Sequence, residues 1–176
     1  GQPRILPPRQ PPLEQVPPAI CVAWKAATGD AGWGGVLASS VISDDSRVAV
    51  IVYRPGMNVL PLLAESLALL PPEKRWNVTF STYFTRLPPG VVCQWRCVLE
   101  GTPEALAAMR TPQALVINLC QAVGNPPANP LLEAARTGRV PLALWPTADP
   151  TAAPNPGMQP TLAGTTAVQA REEGPA

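Results

Sequence analysis

The placement of proline is the feature that most limits how this chain can fold. Of the 25 prolines, seven lie in residues 1–18 and ten in residues 122–176, which leaves eight for the 103 residues between. Proline lacks a backbone N–H and fixes φ, so dense proline excludes helix interiors and sheet ladders. We therefore predict a Pro-rich linker at 1–18, one folded block at 19–121, and a mostly disordered Pro- and Ala-rich tail at 122–176 with a short helix at 131–137.

The central block has the size and charge of a single ordinary domain. About 100 residues can bury a stable core. The block holds eight Lys or Arg and seven Asp or Glu, so it lacks the basic surface that phosphate neutralisation requires. No apolar run approaches the roughly 20 residues that cross a bilayer. We expect no nucleic-acid partner, no membrane segment in this chain and a cytoplasmic location.

The chain has no histidine, the side chain most used for proton transfer near neutral pH and for binding transition metals. No close Cys-x-x-Cys pair occurs, so we expect reduced, buried thiols rather than zinc ligands or a disulfide framework. Most acidic residues of the block fall on predicted caps, turns and helix surfaces, and no two stand out as a facing pair. We therefore expect no cofactor, no metal, no catalytic residues and no enzymatic activity.

The first half of the block reads as two strand and helix units. Ile20–Lys25 is an apolar run of strand length, and Asp30 can cap a helix after it. Val48–Tyr53 is an unbroken β-branched run, typical of a central strand that is covered on both faces. Leucines at three- and four-residue spacing then predict a helix over residues 58–70.

The clearest pair of strands predicts a β-hairpin at residues 76–99. Trp76–Phe84 and Val91–Leu99 both alternate apolar and polar residues, which is typical of antiparallel strands with one face in the core. A short helix that begins at Thr102 and a buried strand over Ala114–Cys120 complete the block. The fold class is α/β: a single layered domain around a mixed, mainly parallel sheet, with disordered Pro-rich termini.

A glycine-rich turn, residues 28–35, leads from the first predicted strand into the first helix. In that position backbone N–H groups can hold a phosphate. However, Asp30 would place a negative charge where the phosphate belongs, and neither G-x-G-x-x-G nor the P-loop pattern is present. The simpler interpretation is that Asp30 caps the helix while the glycines allow close packing.

Arg54 follows the predicted central strand, at the end where open α/β sheets bind ligands. Arg86 would come from a neighbouring strand end, so the two guanidinium groups are candidates to hold a small anion. The competing interpretation is a tight turn with a solvated arginine, because this rule locates pockets without showing that they are occupied.

The polar face of the predicted hairpin is formed by Thr79, Ser81, Tyr83, Gln94 and Arg96. Thr79, Tyr83 and Arg96 are candidates to bind another protein, because hydroxyl and guanidinium groups make adaptable hydrogen bonds and Tyr and Arg are enriched at interfaces. An ordinary solvated sheet face is an equally consistent interpretation.

Three strings of the block resemble a known family. Leu69–Thr82, Thr28–Trp33 and Tyr53–Gly56 look like a segment of large bacterial proteins of planctomycete type, which are similar to the GTPase-associated family of prokaryotic conflict and signalling systems. The resemblance covers about residues 22–100. It implies an accessory or adaptor module beside a nucleotide-driven switch, whose partners are other protein domains, such as a GTPase or further domains of the same polypeptide.

These observations predict a non-catalytic protein-interaction module of a larger bacterial protein. The chain begins at Gly1 without an initiator methionine, so we expect a processed product or a piece of a longer protein. The alternative is a small-ligand or nucleotide-binding α/β domain that uses the strand ends near Arg54 and Asp30.

Overall fold

Four parallel strands form the central sheet in a computed structural model of the chain, which describes residues 19–42 and 47–140. Side by side, the strands are β2 (Phe80–Ser81), β3 (Trp95–Leu99), β1 (Ala49–Tyr53) and β4 (Leu115–Asn118). All five residues of β1 are buried, which confirms a central strand here. The linker predicted at 1–18 and the part of the tail at 141–176 lie outside the described residues.

Helices cover the two faces of the sheet unequally. The helices of the described residues are α1 (Val22–Thr28), α2 (Gly32–Ile42), α3 (Leu60–Ala68), α4 (Pro72–Arg75), α5 (Pro103–Met109) and α6 (Leu132–Thr137). The larger core cluster joins α1, α2, α3 and α6 to the sheet face that carries Ile51, Cys97 and Ile117. A smaller cluster joins α5 to the opposite face, at Val50, Val52 and Val98. The α/β class predicted from the sequence is therefore confirmed.

The strand predicted at Ile20–Lys25 is wrong, because this region forms helix α1. Cys21 and Trp24 are fully buried, whereas Val22 between them is 63% exposed. That three-residue recurrence is helical, and a short apolar run does not by itself distinguish a strand from a buried helix. Gly29 ends α1 with a φ of 85°, a conformation that favours glycine.

The hairpin predicted at residues 76–99 is also wrong, and the sheet is parallel rather than mixed over the described strands. Phe80 and Ser81 pair in parallel with Trp95 and Arg96. The link over residues 82–94 has the length that a parallel crossover needs, about a dozen residues or more. Trp76, on the face of that hairpin predicted to lie in the core, is 84% exposed and lies in a turn directly after α4.

Helix α6 packs closely against α2 at Gly32 and Gly35, which lie in the first turn of α2. A Cβ atom added to Gly35 would lie 2.5 Å from the carbonyl oxygen of Leu131, so no larger residue fits there without displacing backbone. Leu131, Ala134 and Ala135 are fully buried in the larger core cluster. This geometry agrees with the interpretation that the glycines permit close packing.

The other predicted elements of the block are present. Helix α3 lies within the predicted range, and the Asn58 side-chain oxygen accepts a hydrogen bond from the N–H of Leu60 at 3.3 Å. Helix α5 begins after Thr102, whose hydroxyl oxygen accepts the N–H of Ala105 at 3.3 Å. Strand β4 lies inside the predicted Ala114–Cys120 run. Thr102 is thus an ordinary N-cap of α5, whereas the N-cap position of α3 is Val59, which makes no side-chain cap hydrogen bond.

Candidate interaction surface

Large apolar and aromatic side chains are exposed along one stretch of the chain, residues 76–92, which we call the aromatic edge. It contains five of the eleven exposed large hydrophobic residues of the described chain: Trp76, Phe80, Tyr83, Val91 and Val92. Trp76 is 84% exposed and Tyr83 62%. The stretch includes β2, one of the two edge strands of the sheet. Concentrated exposure of apolar groups is typical of interaction sites.

Hydrogen bonds hold the backbone of the aromatic edge on the sheet. The Thr79 carbonyl accepts the N–H groups of Gln94 and Trp95, each at 3.1 Å. The Tyr53 hydroxyl donates to the carbonyl of Thr82 at 2.9 Å, and the Phe84 N–H donates to the carbonyl of Cys97 at 2.7 Å. Residues 79–84 are therefore positioned on the sheet, and Trp76 lies three residues before the first of these bonds.

The predicted polar face is only partly assembled. Thr79 lies beside Gln94, whose side-chain oxygen accepts the Thr79 N–H at 2.9 Å, and Ser81 is in register with Arg96. Tyr83 is exposed in the aromatic edge. Arg96 instead turns inward: its Nε donates to the Cys93 carbonyl at 3.0 Å and its guanidinium carbon lies 4.7 Å from the Phe84 ring centroid. Arg96 therefore contacts Cys93 and Phe84, whereas the Tyr83 side chain is exposed to solvent.

A second surface feature is a groove beside α5, which we call the α5 groove. Its volume is about 240 Å³, and its lining includes Val50, Phe84, Arg96, Val98, Glu104 and Ala107. Apolar groups of β1 and β3 thus line the groove together with one basic and one acidic side chain. Arg96 was predicted to lie on a flat polar face, and the groove could not be predicted because the parallel pairing of β2 has no local sequence signal.

Arg54 already has a counter-ion. Its Nε lies 2.7 Å from Oε2 of Glu100, and its Nη2 donates to the carbonyl of Cys120 at 3.1 Å. The hydrogen bond from Arg54 holds the pKa of the Glu100 carboxyl below its usual range. Glu100 was missed, although it follows β3 just as Arg54 follows β1. Arg86 is exposed in the link between β2 and β3.

Asp30 is likewise engaged by structural partners. Its Oδ1 accepts the N–H of Gly32 at 2.8 Å, and Arg136 contacts both carboxyl oxygens. The hydrogen bond from Arg136 is the main reason that the pKa of Asp30 lies below its usual value. This agrees with the capping interpretation. Arg136 was missed because nothing in the sequence links residues 106 positions apart.

The cysteines are free thiols, and burial suppresses their ionisation. Desolvation raises the pKa of Cys21 and of Cys97 to about 12. It also raises the pKa of Cys93 and of Cys120. Within residues 19–42 and 47–140, no three Cys, Asp or Glu side chains converge as metal ligands would. The same residues contain no helix long and apolar enough to span a bilayer.

The parallel sheet and its helical layers define an α/β domain with exposed apolar side chains along one edge. Residues 21–121 match the model of the GTPase-associated protein 1 middle domain. The match spans more than half of the 176 residues, so the chain belongs to this family. No curated protein and no solved structure shows significant similarity to the chain. The match confirms the predicted resemblance to the GTPase-associated family.

Proposed function

We propose that this domain is a non-catalytic protein-interaction module of a larger bacterial protein, acts in the cytoplasm, and binds its partner through the aromatic edge. The observation that carries the proposal is the exposure of Trp76 and Tyr83 on a stretch whose backbone is bonded to the sheet at residues 79, 82 and 84. Trp and Tyr are the side chains that most often dominate binding energy. A segment that is already positioned loses less conformational entropy when it binds.

The partner that we propose is a GTPase. The name of the family associates it with GTPases, and this name is the support for the choice. Around the aromatic side chains, Thr79 and Arg86 are exposed polar residues of the kind found at the rims of interfaces. Thr79, Tyr83 and Arg86 would supply hydrogen bonds to the partner while Trp76 supplies apolar area.

The small-ligand alternative has less support. An anion at Arg54 would have to compete with Glu100, and one at Asp30 would meet a carboxylate that already binds Arg136. The positive charge of Arg54 and that of Arg136 are therefore largely neutralised by their carboxylate partners, so neither offers an open anion site. A panel of nucleotides tested by thermal shift distinguishes the two functions, since saturating ligand at ten times its dissociation constant adds about 1.4 kcal/mol.

The binding test uses the full chain and purified GTPases from the same genome, each loaded with GDP or a non-hydrolysable GTP analogue. We expect one of them to bind in calorimetric titrations, and the change Trp76→Ala to weaken binding about tenfold or more. Tyr83→Ala should weaken it in the same direction. Leu60→Ala is the matched control, because Leu60 is 54% exposed but lies outside the aromatic edge.

Two results would overturn the proposal. If no GTPase of the panel binds, the partner is wrong. If a GTPase binds equally well to wild type, Trp76→Ala and Tyr83→Ala, the aromatic edge is not the contact surface. Circular dichroism of each variant shows whether the fold is kept.

A further inference from the structure

The second edge strand of the sheet, β4, has backbone hydrogen-bonding groups that face away from its neighbour. The N–H of Leu115 donates to the Val48 carbonyl on the β1 side at 3.0 Å, and Leu115 is in register with Ala49. Because successive residues of a strand direct their backbone groups to opposite sides, Val116 and Asn118 direct theirs away from β1. Among the described residues, the N–H and C=O of Val116 and the N–H of Asn118 have no hydrogen-bond partner. This edge can therefore accept another strand.

A groove lies along this edge, and we call it the β4 groove. Its volume is about 400 Å³, which falls in the range of sites that bind ligands. One wall is β4, another is α2, and residues 127–129 complete the groove. The lining includes Val36, Ser39, Arg47, Leu115, Val116 and Pro127. Between an edge strand and a helix, an extended peptide can pair with the strand and place alternate side chains in pockets.

The walls of the β4 groove are joined to one another by the side chain of Asn129. Its Oδ1 accepts the Ser39 hydroxyl at 3.0 Å and the N–H of Leu131 at 3.0 Å. Its Nδ2 donates to the Pro127 carbonyl at 3.0 Å. Residues 127–129 are therefore held on α2. Because the groove is already formed, a segment that binds there does not have to order it first.

The charge at one end of the β4 groove indicates what the groove binds. Arg47 is the one charged side chain among the described residues that line it. Arg47 comes two residues before Ala49, the register partner of Leu115, so it lies at the end where β4 begins. A guanidinium group has five N–H donors, so it can bind a carboxylate through two hydrogen bonds while it keeps another contact. A carboxylate is therefore the chemical group that suits this end of the groove.

We propose that the β4 groove binds the carboxyl-terminal segment of another polypeptide, which adds to β4 as an antiparallel strand. The antiparallel direction brings the last residue of that segment to the start of β4, where its carboxylate meets Arg47. The residue opposite Val116 exchanges two hydrogen bonds with it, as in an antiparallel ladder. The last residue lies opposite Leu115 and faces α2 as Leu115 does, since Leu115 packs against the larger core cluster. We expect this last residue to be apolar, because its side chain enters the groove between Leu115 and Val36.

The test uses the full chain and an immobilised library of random pentapeptides, attached through their amino ends so that each carboxylate is free. We expect the peptides that bind to be enriched in an apolar last residue. The best of them is then titrated calorimetrically beside the same peptide with a carboxyl-terminal amide. Loss of the carboxylate should weaken binding about tenfold or more, because it removes the charged partner of Arg47.

Variants of the chain locate the bound peptide. Val116→Pro removes the N–H that faces away from β1 and leaves the ladder with β1 intact, because proline is tolerated at such edge positions. It should weaken binding about tenfold. Arg47→Gln should weaken binding of the free-carboxylate peptide to the level of the amide. Arg110→Gln is the control at an exposed arginine outside the groove and should not weaken it. In the wild type, the peptide should slow hydrogen exchange at the Val116 and Asn118 amides.

The outcomes separate this proposal from GTPase binding at the aromatic edge, since Trp76→Ala should leave peptide binding unchanged. A library from which no peptide binds would overturn the proposal. Equal affinity for the carboxylate and the amide would overturn recognition of a chain end. Binding that is unchanged in a Val116→Pro variant with the circular dichroism of wild type would overturn strand addition. If that variant does not fold, the wild type decides, because Val116 and Asn118 amides that exchange equally fast with and without peptide would overturn strand addition as well.

Discussion

Arg136 and Asp30 form a two-point ion pair that joins α6 to the beginning of α2. The Nη2 to Oδ2 distance is 2.5 Å and the Nε to Oδ1 distance is 3.0 Å, between residues 106 positions apart in the sequence. The same carboxyl group accepts the N–H of Gly32, the first residue of α2. Residues after position 121, where the family match ends, thus pack with the matched region.

The first prediction concerns the pH dependence of this pair. The pKa of Asp30 is lower in the folded state than its ordinary value of 3.8, mainly because of Arg136. A depressed folded-state pKa stabilises the fold fully above the unfolded-state pKa, and the contribution is lost as pH falls through the folded-state pKa. Asp30→Asn should therefore lower the urea unfolding midpoint at pH 7, and the gap to wild type should close below about pH 4.

Arg136→Gln is the matching change on the other side. It should lower the midpoint in the same pH range and should add little to Asp30→Asn in the double variant, because both changes remove one interaction. Asp30→Ala should be worse than Asp30→Asn, since asparagine can still accept the Gly32 N–H and loss of such a cap costs about 1 kcal/mol. Additive effects of Asp30→Asn and Arg136→Gln would contradict the pairing.

The second prediction concerns the contact between α2 and α6. The change Gly35→Ala forces a methyl group to within 2.5 Å of the Leu131 carbonyl oxygen, so the helices must separate. Overpacking of this kind costs about 1–3 kcal/mol, and the value here should be near the upper end because backbone must move. Chemical denaturation of the full chain measures the change.

Gly29→Ala is the control for this substitution. Its added methyl group would meet no atom within 4 Å, but φ at Gly29 is 85°, so the cost is conformational strain of about 1 kcal/mol. We expect Gly35→Ala to be clearly the more destabilising of the two. Equal costs would show that α2 and α6 can separate freely.

The sequence predicted most of the fold because most elements carry local signals. The β-branched run of β1, the leucine spacing of α3 and Thr102 before α5 each determine an element without help from distant residues. Strand pairing does not have a local signal. The alternation of residues 76–99 describes two strand-like runs equally well whether they pair antiparallel or parallel, and the structure pairs them in parallel.

Less of the candidate surface could be predicted. Asp30 was recognised as a helix cap and Arg54 as a strand-end residue, but their partners Arg136 and Glu100 became visible only in three dimensions. Trp76 was assigned to the core because its position fitted the apolar phase of the presumed strand. A tryptophan that is 84% exposed has no distinguishing mark in the sequence, since the same residue type fills the core at Trp24.

The third prediction uses these two tryptophans. Trp24 is fully buried, and its indole N–H lies 2.8 Å from the Leu62 carbonyl oxygen and 2.9 Å from the Ser66 hydroxyl oxygen. Trp24→Phe removes this donor and leaves a small void, so it should cost about 2–3 kcal/mol. Trp76→Phe should change stability by less than about 0.5 kcal/mol, because Trp76 is largely exposed. A small effect of Trp24→Phe on the free energy of unfolding would mean that α1 and α3 adjust easily.

The last prediction concerns thiol reactivity. At pH 8 a thiol with a pKa of about 12, the value for Cys21 and Cys97, is ionised to roughly one part in ten thousand. Both side chains are also fully buried, whereas Cys120 is only partly buried. A disulfide reagent should therefore modify Cys120 first in the native protein, and Cys120→Ser should remove the fast phase. Cys21 and Cys97 should react only as the chain unfolds, so their labelling rates should rise with denaturant concentration.

The same two thiols also make stability depend on pH. Because their folded-state pKa is raised from 9.0, the stability that they contribute is present below about pH 9 and is lost as pH rises toward 12. Fast labelling of three or more thiols in the native protein, in wild type and in Cys97→Ser alike, would contradict the burial of Cys21 and Cys97.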